Sequence, residues 1–128
     1  MAWNIRTART VTPDLEILVH QVNVDVAPSI VLDAGGVTPD PVTGVRKLLA
    51  GQPLKKVGNQ YVPWLTADAA AACLGILVRT EVFPDGSAQS DIASAMWNHG
   101  QWFRSNRIVT DAPGLVKVMQ ALPTCKFS

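Results

Sequence analysis

Apolar positions change their period several times along the chain, and each change marks an element. Over Met1 to Thr12 no helical period is present, yet Trp3, Ile5 and Val11 are apolar and would stand exposed on an isolated extended segment. The pattern predicts an extended N-terminal arm over residues 1–14, docked on a partner or packed as an edge strand of its own domain. From Leu15 the apolar residues alternate at Leu15, Ile17 and Val19, and then, in the opposite phase, at Val22, Val24 and Val26. Period two with β-branched residues reads as strand, and the phase slip predicts a bulge or bend. Ser29 to Asp33 continues extended. Breakers then crowd Gly35 to Gly44, which predicts a flexible surface loop near 33–44.

Beyond Val45 the pattern is one of short strands and turns. Leu48 to Leu54 and Tyr61 to Trp64 flank a Gly58-Asn59 reversal and read as a hairpin, with Pro63 at an edge or strand end because it cannot donate to a ladder. Thr66 is placed to cap an Ala-rich helix through Cys73, with Gly75 just past its end. Ile76 to Val82 reads as one buried strand. Ile92 to Met96 and Gln101 to Phe103 flank Asn98-His99-Gly100 as a second hairpin. Asp111 caps a helix with Pro113 in its first turn and Leu115, Val116, Val118, Met119 and Leu122 at helical spacing up to Pro123. Thr124 to Ser128 is long enough for a last strand. Many short strands with one or two short helices favour a compact β-rich, barrel-like or α+β domain.

Composition narrows what such a domain does. The 128 residues suit one domain, residues 15–128, whose folding buries roughly two-thirds of the unfolded chain's surface. Hydrophobic residues make up 48% and charged residues only 16%, below the roughly one quarter usual for a soluble domain, so part of the surface is expected to be made for a partner. The net charge is +1, and basic and acidic residues are balanced in both halves, which argues against nucleic acid or a membrane as partner. No run approaches the ~20 apolar residues of a membrane span, and the first residues carry no apolar signal core. Cys73 and Cys125 stand 52 positions apart in no metal or redox spacing, which reads as two buried thiols in a reducing compartment.

Catalytic, metal and cofactor sites are not predicted. Cys73 with His20 or His99, oriented by Asp68, is the one nucleophile arrangement on offer, but its Ala-rich surroundings favour a core thiol. His20 and His99 have no second His at ligand spacing. Gly35-Gly36 lacks the GK[ST] of a phosphate loop, and Asp68, Glu81, Asp85 and Asp91 show no paired spacing for acid and base work. The aromatic stretch Trp97 to Phe103, followed by Arg104 and Arg107, stands out more. Such residues pack cores, dominate protein interfaces, or stack bases where a basic groove accompanies them. Trp64, Trp97, His99, Trp102 and Phe103 are therefore candidates for a subunit interface, with core packing as the other reading.

Four stretches follow one another in a suggestive order: Leu48-Leu49-Ala-Gly-Gln-Pro-Leu54, Gly58-Asn-Gln-Tyr-Val-Pro63, Ala71-Ala-Cys-Leu-Gly75-Ile76-Leu77 and Ile92-Ala-Ser-Ala-Met-Trp-Asn-His-Gly100-Gln-Trp-Phe103. Their order and character resemble the lambda-type head decoration proteins of tailed phages, over roughly residues 45 to 128. The resemblance implies a non-enzymatic virion subunit that trimerises on the outside of the expanded phage capsid and cements it, with assembly in the host cytoplasm. Its partners would be the major capsid protein, two copies of itself and neighbouring trimers. The capsid contact would fall on the arm, through Trp3, Ile5 and Val11 with Arg6 and Arg9 as charge partners. Leu15 to Val45 is longer than in the smallest family members, and would extend the trimer or reach a neighbouring one. The expected fold is a mainly β domain, a small β-barrel-like or β-tulip unit with one or two short helices and an extended N-terminal arm. Two other functions are weighed against it: a small cysteine hydrolase using Cys73, and a single-stranded nucleic-acid module using Trp97, Trp102, Arg104 and Arg107.

Overall fold

Gly58, with φ +63°, reverses the chain between β4 (Pro53–Val57) and β5 (Gln60–Pro63), which pair antiparallel from Val57–Gln60 to Leu54–Pro63. A left-handed residue costs glycine little, so this hairpin is fixed by its own turn. Pro63 sits at the strand end, as its missing N–H requires. The computed structural model describes residues 12–20, 27–83 and 91–128.

The hairpin joins β2 (Ser29–Leu32), β6 (Gly75–Leu77) and β8 (Ile92–Trp97) in a closed five-stranded barrel of order β2-β5-β4-β6-β8. Ile30, Leu32, Leu54, Leu77, Ile92 and Met96 fill its interior, and Ala34, Val37, Leu48 and Phe83 pack with them. A small antiparallel pair, β3 (Lys47–Leu48) with β7 (Glu81–Val82), accompanies the barrel. Its Glu81 is buried and accepts a 2.6 Å hydrogen bond from the Ser94 hydroxyl.

A second layer completes the domain. β9 (Trp102–Phe103) is flanked by β1 (Leu18–His20) and, in parallel, by β10 (Lys126–Phe127). Helix α1 (Ala112–Ala121) starts at Asp111, whose carboxylate accepts from the Gly114 N–H, and carries Pro in its first turn as the sequence predicts. Ile76, Ala95 and Trp97 point away from the barrel interior into this layer, where Phe103, Ile108, Val118, Leu122, Cys73 and Cys125 meet them. Strands β6 and β8 are thus covered on both faces, and β8 is buried along nearly its whole length. The mainly β, barrel-centred expectation is met.

Several local expectations are not. Asn98-His99-Gly100 does not close a hairpin: β8 pairs with β2 and β6, β9 pairs with β1 and β10, and the stretch between them crosses from barrel to second layer. The Ala-rich segment forms no helix from Thr66, only a single 3-10 turn over Ala70–Ala72. Its carbonyls are taken by other groups, Ala69 by the Trp64 indole N–H and Thr66 and Asp68 by the Lys117 ammonium. Ile76 to Val82 is broken by a bend at 78–79, where the chain leaves β6 to form β7. The β1–β9 register shifts between Leu18 and His20, ahead of the predicted slip; residues 21–26, where the second alternation lies, are outside the described residues. The expected loop is divided: Asp33 caps a 3-10 turn whose Ala34 is buried, with Val37 buried just past it, while residues 38–45 are exposed.

Candidate interaction surface

The aromatic candidates separate by the sheet they belong to. Trp97 ends β8 facing the second layer, and Phe103 in β9 faces back toward it, their ring centroids 6.4 Å apart; Phe127 stacks at 5.3 Å beyond. Trp64 follows β5 and is fixed by its indole bond to Ala69. Trp64, Trp97 and Phe103 are fully buried inside the chain and offer no surface for trimer contact, which corrects three of the five interface candidates. The cause is the crossover: rings expected on the two arms of one hairpin instead meet between two layers. His99 is exposed in that crossover, its backbone N–H bound to the Gln101 side chain.

Trp102 alone of these rings keeps an outward face. It is half-buried; its indole N–H donates to the Ser128 hydroxyl and the Lys126 ammonium lies 5.3 Å from the ring centroid. This is a small cation–π platform on the outer side of the β1-β9-β10 sheet.

Chemistry proposed for the other groups meets specific obstacles. Cys73 is buried, and desolvation pushes its thiol up to about 11, so its nucleophilic thiolate is scarce at neutral pH. Burial likewise raises Cys125, whose Sγ lies 3.8 Å from the Gln101 side-chain oxygen. Asp68, the intended orienting carboxylate, accepts instead from the Leu65 N–H and from Lys55 at 3.0 Å, which hold it below the usual carboxylate range. Arg104 donates to the Leu18 carbonyl and Arg107 lies 3.5 Å from Glu16, so the basic side of a nucleic-acid site is committed within the chain, and Trp97 is buried. Among the described residues, no group of three His, Cys, Asp or Glu could hold a metal.

A different region brings exposed apolar side chains onto two neighbouring segments, Leu65 and Leu74 on one and Val116 and Met119 on the other, whereas Val42, Val57 and Val82 are exposed elsewhere among the described residues. On α1, Val118 and Leu122 are buried, but Val116 and Met119, predicted on the same stripe, are 55% and 44% exposed. They lie on the opposite side of the helix, beside exposed Ala112 and Pro113. Alongside runs the segment Leu65 to Leu74, where Leu65 is 62% exposed and Ala67, Ala69 and Ala71 also face outward. The two pieces are fastened together: Lys117 Nζ donates to the carbonyls of Thr66 (2.7 Å) and Asp68 (3.3 Å), and the Thr66 hydroxyl donates to Asp111 at 2.7 Å. A Cβ at Gly114 would lie 2.0 Å from the Thr110 hydroxyl and 2.6 Å from that of Thr66, so glycine is what lets the helix come this close. A surface helix normally turns charge to solvent, whereas this one has a single charged side chain, drawn down onto the neighbouring segment. The signal was present in the sequence as apolar residues in excess of one helical stripe and an alanine run without charge.

The arm residues Trp3, Ile5, Arg6, Arg9 and Val11 lie outside the described residues. The arm's end is anchored, since Asp14 N–H donates to the Val78 carbonyl at 2.7 Å. Set against known proteins, the chain matches no family model and no curated protein sequence.

Proposed function

We propose that this chain is a non-enzymatic capsid decoration subunit, which trimerises on the outer surface of an expanded phage head and cements it. The observation that carries the reading is the apolar, charge-balanced face of α1 and Leu65–Leu74 on a small barrel domain whose thiols are buried in the second layer. The ordered stretches within residues 45–128 support it from the side of sequence. A cement protein requires contact surface rather than a titrating site, and it stabilises the shell by mass action because it binds only the expanded lattice. In this reading the partner of the arm, through Trp3, Ile5 and Val11 with Arg6 and Arg9, is the major capsid protein, to which an extended segment adds as a strand. The protein acts on the virion exterior after assembly in the host cytoplasm.

The test is cosedimentation with heads assembled from the major capsid protein of the phage that would carry this chain. The full chain is expected on expanded heads and absent from unexpanded ones, and a chain lacking residues 1–12 is expected to stay folded and remain in the supernatant. Failure of the full chain to bind expanded heads would overturn the proposal; undiminished binding by the shortened chain would remove the arm from it.

A further inference from the structure

We infer that the face formed by α1 and Leu65–Leu74 is where a second copy of this chain docks. The inference deepens the trimer part of the proposed function by naming its surface.

The occupant is argued first from charge. Four ionic side chains belong to this region, two cationic and two anionic, so that their charges sum to zero: Lys55 pairs with Asp68 at 3.0 Å, Lys117 is held by the Thr66 and Asp68 carbonyls, and Asp111 accepts from the Thr66 hydroxyl and the Gly114 N–H. Around a rotation axis the same face of every copy converges, so any unbalanced charge there would repel itself. This face presents none. A partner of opposite charge would find nothing to pair with, whereas an identical apolar face meets its like without penalty.

Area argues the same way. Leu65, Leu74, Val116 and Met119, with exposed Ala67, Ala69 and Ala71, together expose apolar area on the order of a few hundred Å² on these two neighbouring segments, the scale at which apolar surface on monomers marks contact sites. That is a substantial share of the ~800 Å² each partner contributes to a standard interface. The backbone beneath is already held by the Lys117 and Thr66 bonds, so docking orders little that is not ordered before contact.

Sedimentation velocity over a concentration series tests the inference. Val116→Glu and Leu65→Glu place a carboxylate on each half of the face, and each is expected to weaken self-association by roughly 30-fold or more, the scale of a hot-spot residue. Both positions are exposed, so circular dichroism and melting of the monomer should be unchanged. Val57→Glu, on the barrel hairpin at 58% exposure, is the control and should associate as the native chain does. If both face variants assemble like the native chain while it is oligomeric, this face is wrong and the trimer reading survives. If the native chain is monomeric throughout yet binds expanded heads, self-docking is lost and the decoration reading stands.

Discussion

The barrel interior and the layer laid over β6 and β8 are both well-filled cores, but they finish their outer surfaces differently. Inside the barrel, aliphatic residues of β2, β4, β6 and β8 meet, and uncovered positions on its outside mix polar residues, such as Ser29, Lys55 and Lys56, with the single exposed valines Val31 and Val57. The second layer holds Trp64, Trp97, Phe103 and both thiols, yet its outer helix leaves Val116 and Met119 exposed. A barrel completes its own surface by alternating sides at every residue. Among the described residues no third layer covers the far side of the second layer, the side proposed above to receive a second copy.

Trp97→Ala is the strongest challenge to that division, because the side chain is fully buried where the two regions join. It should cost about 3–5 kcal/mol in urea unfolding, with Leu77→Ala in the barrel costing a similar 2–5 kcal/mol. One cooperative transition in both variants means that the regions fold as a unit. A separate early transition for Trp97→Ala alone would make the covering layer an independent module.

The thiols distinguish the regions by pH. Cys73, in the second layer, has its folded value raised to about 11 from 9.0 by burial, so the folded state favours the thiol. Stability from this group is complete below pH 9, where both states hold the proton, and is lost as pH rises through about 11. The loss amounts to at most roughly 2–3 kcal/mol. Urea titrations between pH 8 and 11 should show a steeper decline for the native chain than for Cys73→Ala. Equal slopes, or fast alkylation of native Cys73 at neutral pH, would place the thiol at the surface and reopen the hydrolase reading.

Legibility in the sequence follows the same division. The β4–β5 hairpin was readable because Gly58-Asn59 joins strands that pair with each other. Asn98-His99-Gly100 carries the same local signal, but its flanking strands pair with residues far away in sequence, a choice made by tertiary packing that no turn residue encodes. The alanine run reads as helix by propensity, and is overridden because Trp64 and Lys117 take the carbonyls an α-helix would use. Aromatic residues marked the importance of Trp97 to Phe103 but could not say which rings turn inward, since that depends on β8 and β9 belonging to different sheets. The exposed face of α1 was present as Val116 and Met119, and absorbing them into one buried stripe concealed it.

A smaller effect is expected inside the barrel cluster, where Ser94→Ala removes the 2.6 Å hydrogen bond to buried Glu81. Glu81 retains Arg79 at 3.9 Å, so the loss should be about 1–2 kcal/mol rather than that of an abandoned charge. If stability is unchanged, the polar pair contributes nothing to a core that aliphatic packing already secures. A loss well beyond this range would make it a structural centre of the barrel and narrow the contrast with the second layer.

The smallest effect belongs to the outward side of the β1-β9-β10 sheet, where neighbouring residues point in opposite directions. Phe103 is sealed among Trp97 and Phe127, while Trp102 is half-buried beneath Lys126. Lys126→Ala removes the cation over the ring and leaves the Trp102 bond to Ser128 in place, so the expected loss is only about 0.5–1 kcal/mol, with a change in tryptophan emission as the ring gains water. Measured on dilute monomer, a loss above about 2 kcal/mol would show that Trp102 is packed as firmly as Phe103, and the apparent surface platform would be a third piece of core. A loss within the expected range leaves Trp102 as surface, so that the proposed docking of a second copy rests on α1 and Leu65–Leu74, where the Val116→Glu and Leu65→Glu variants test it.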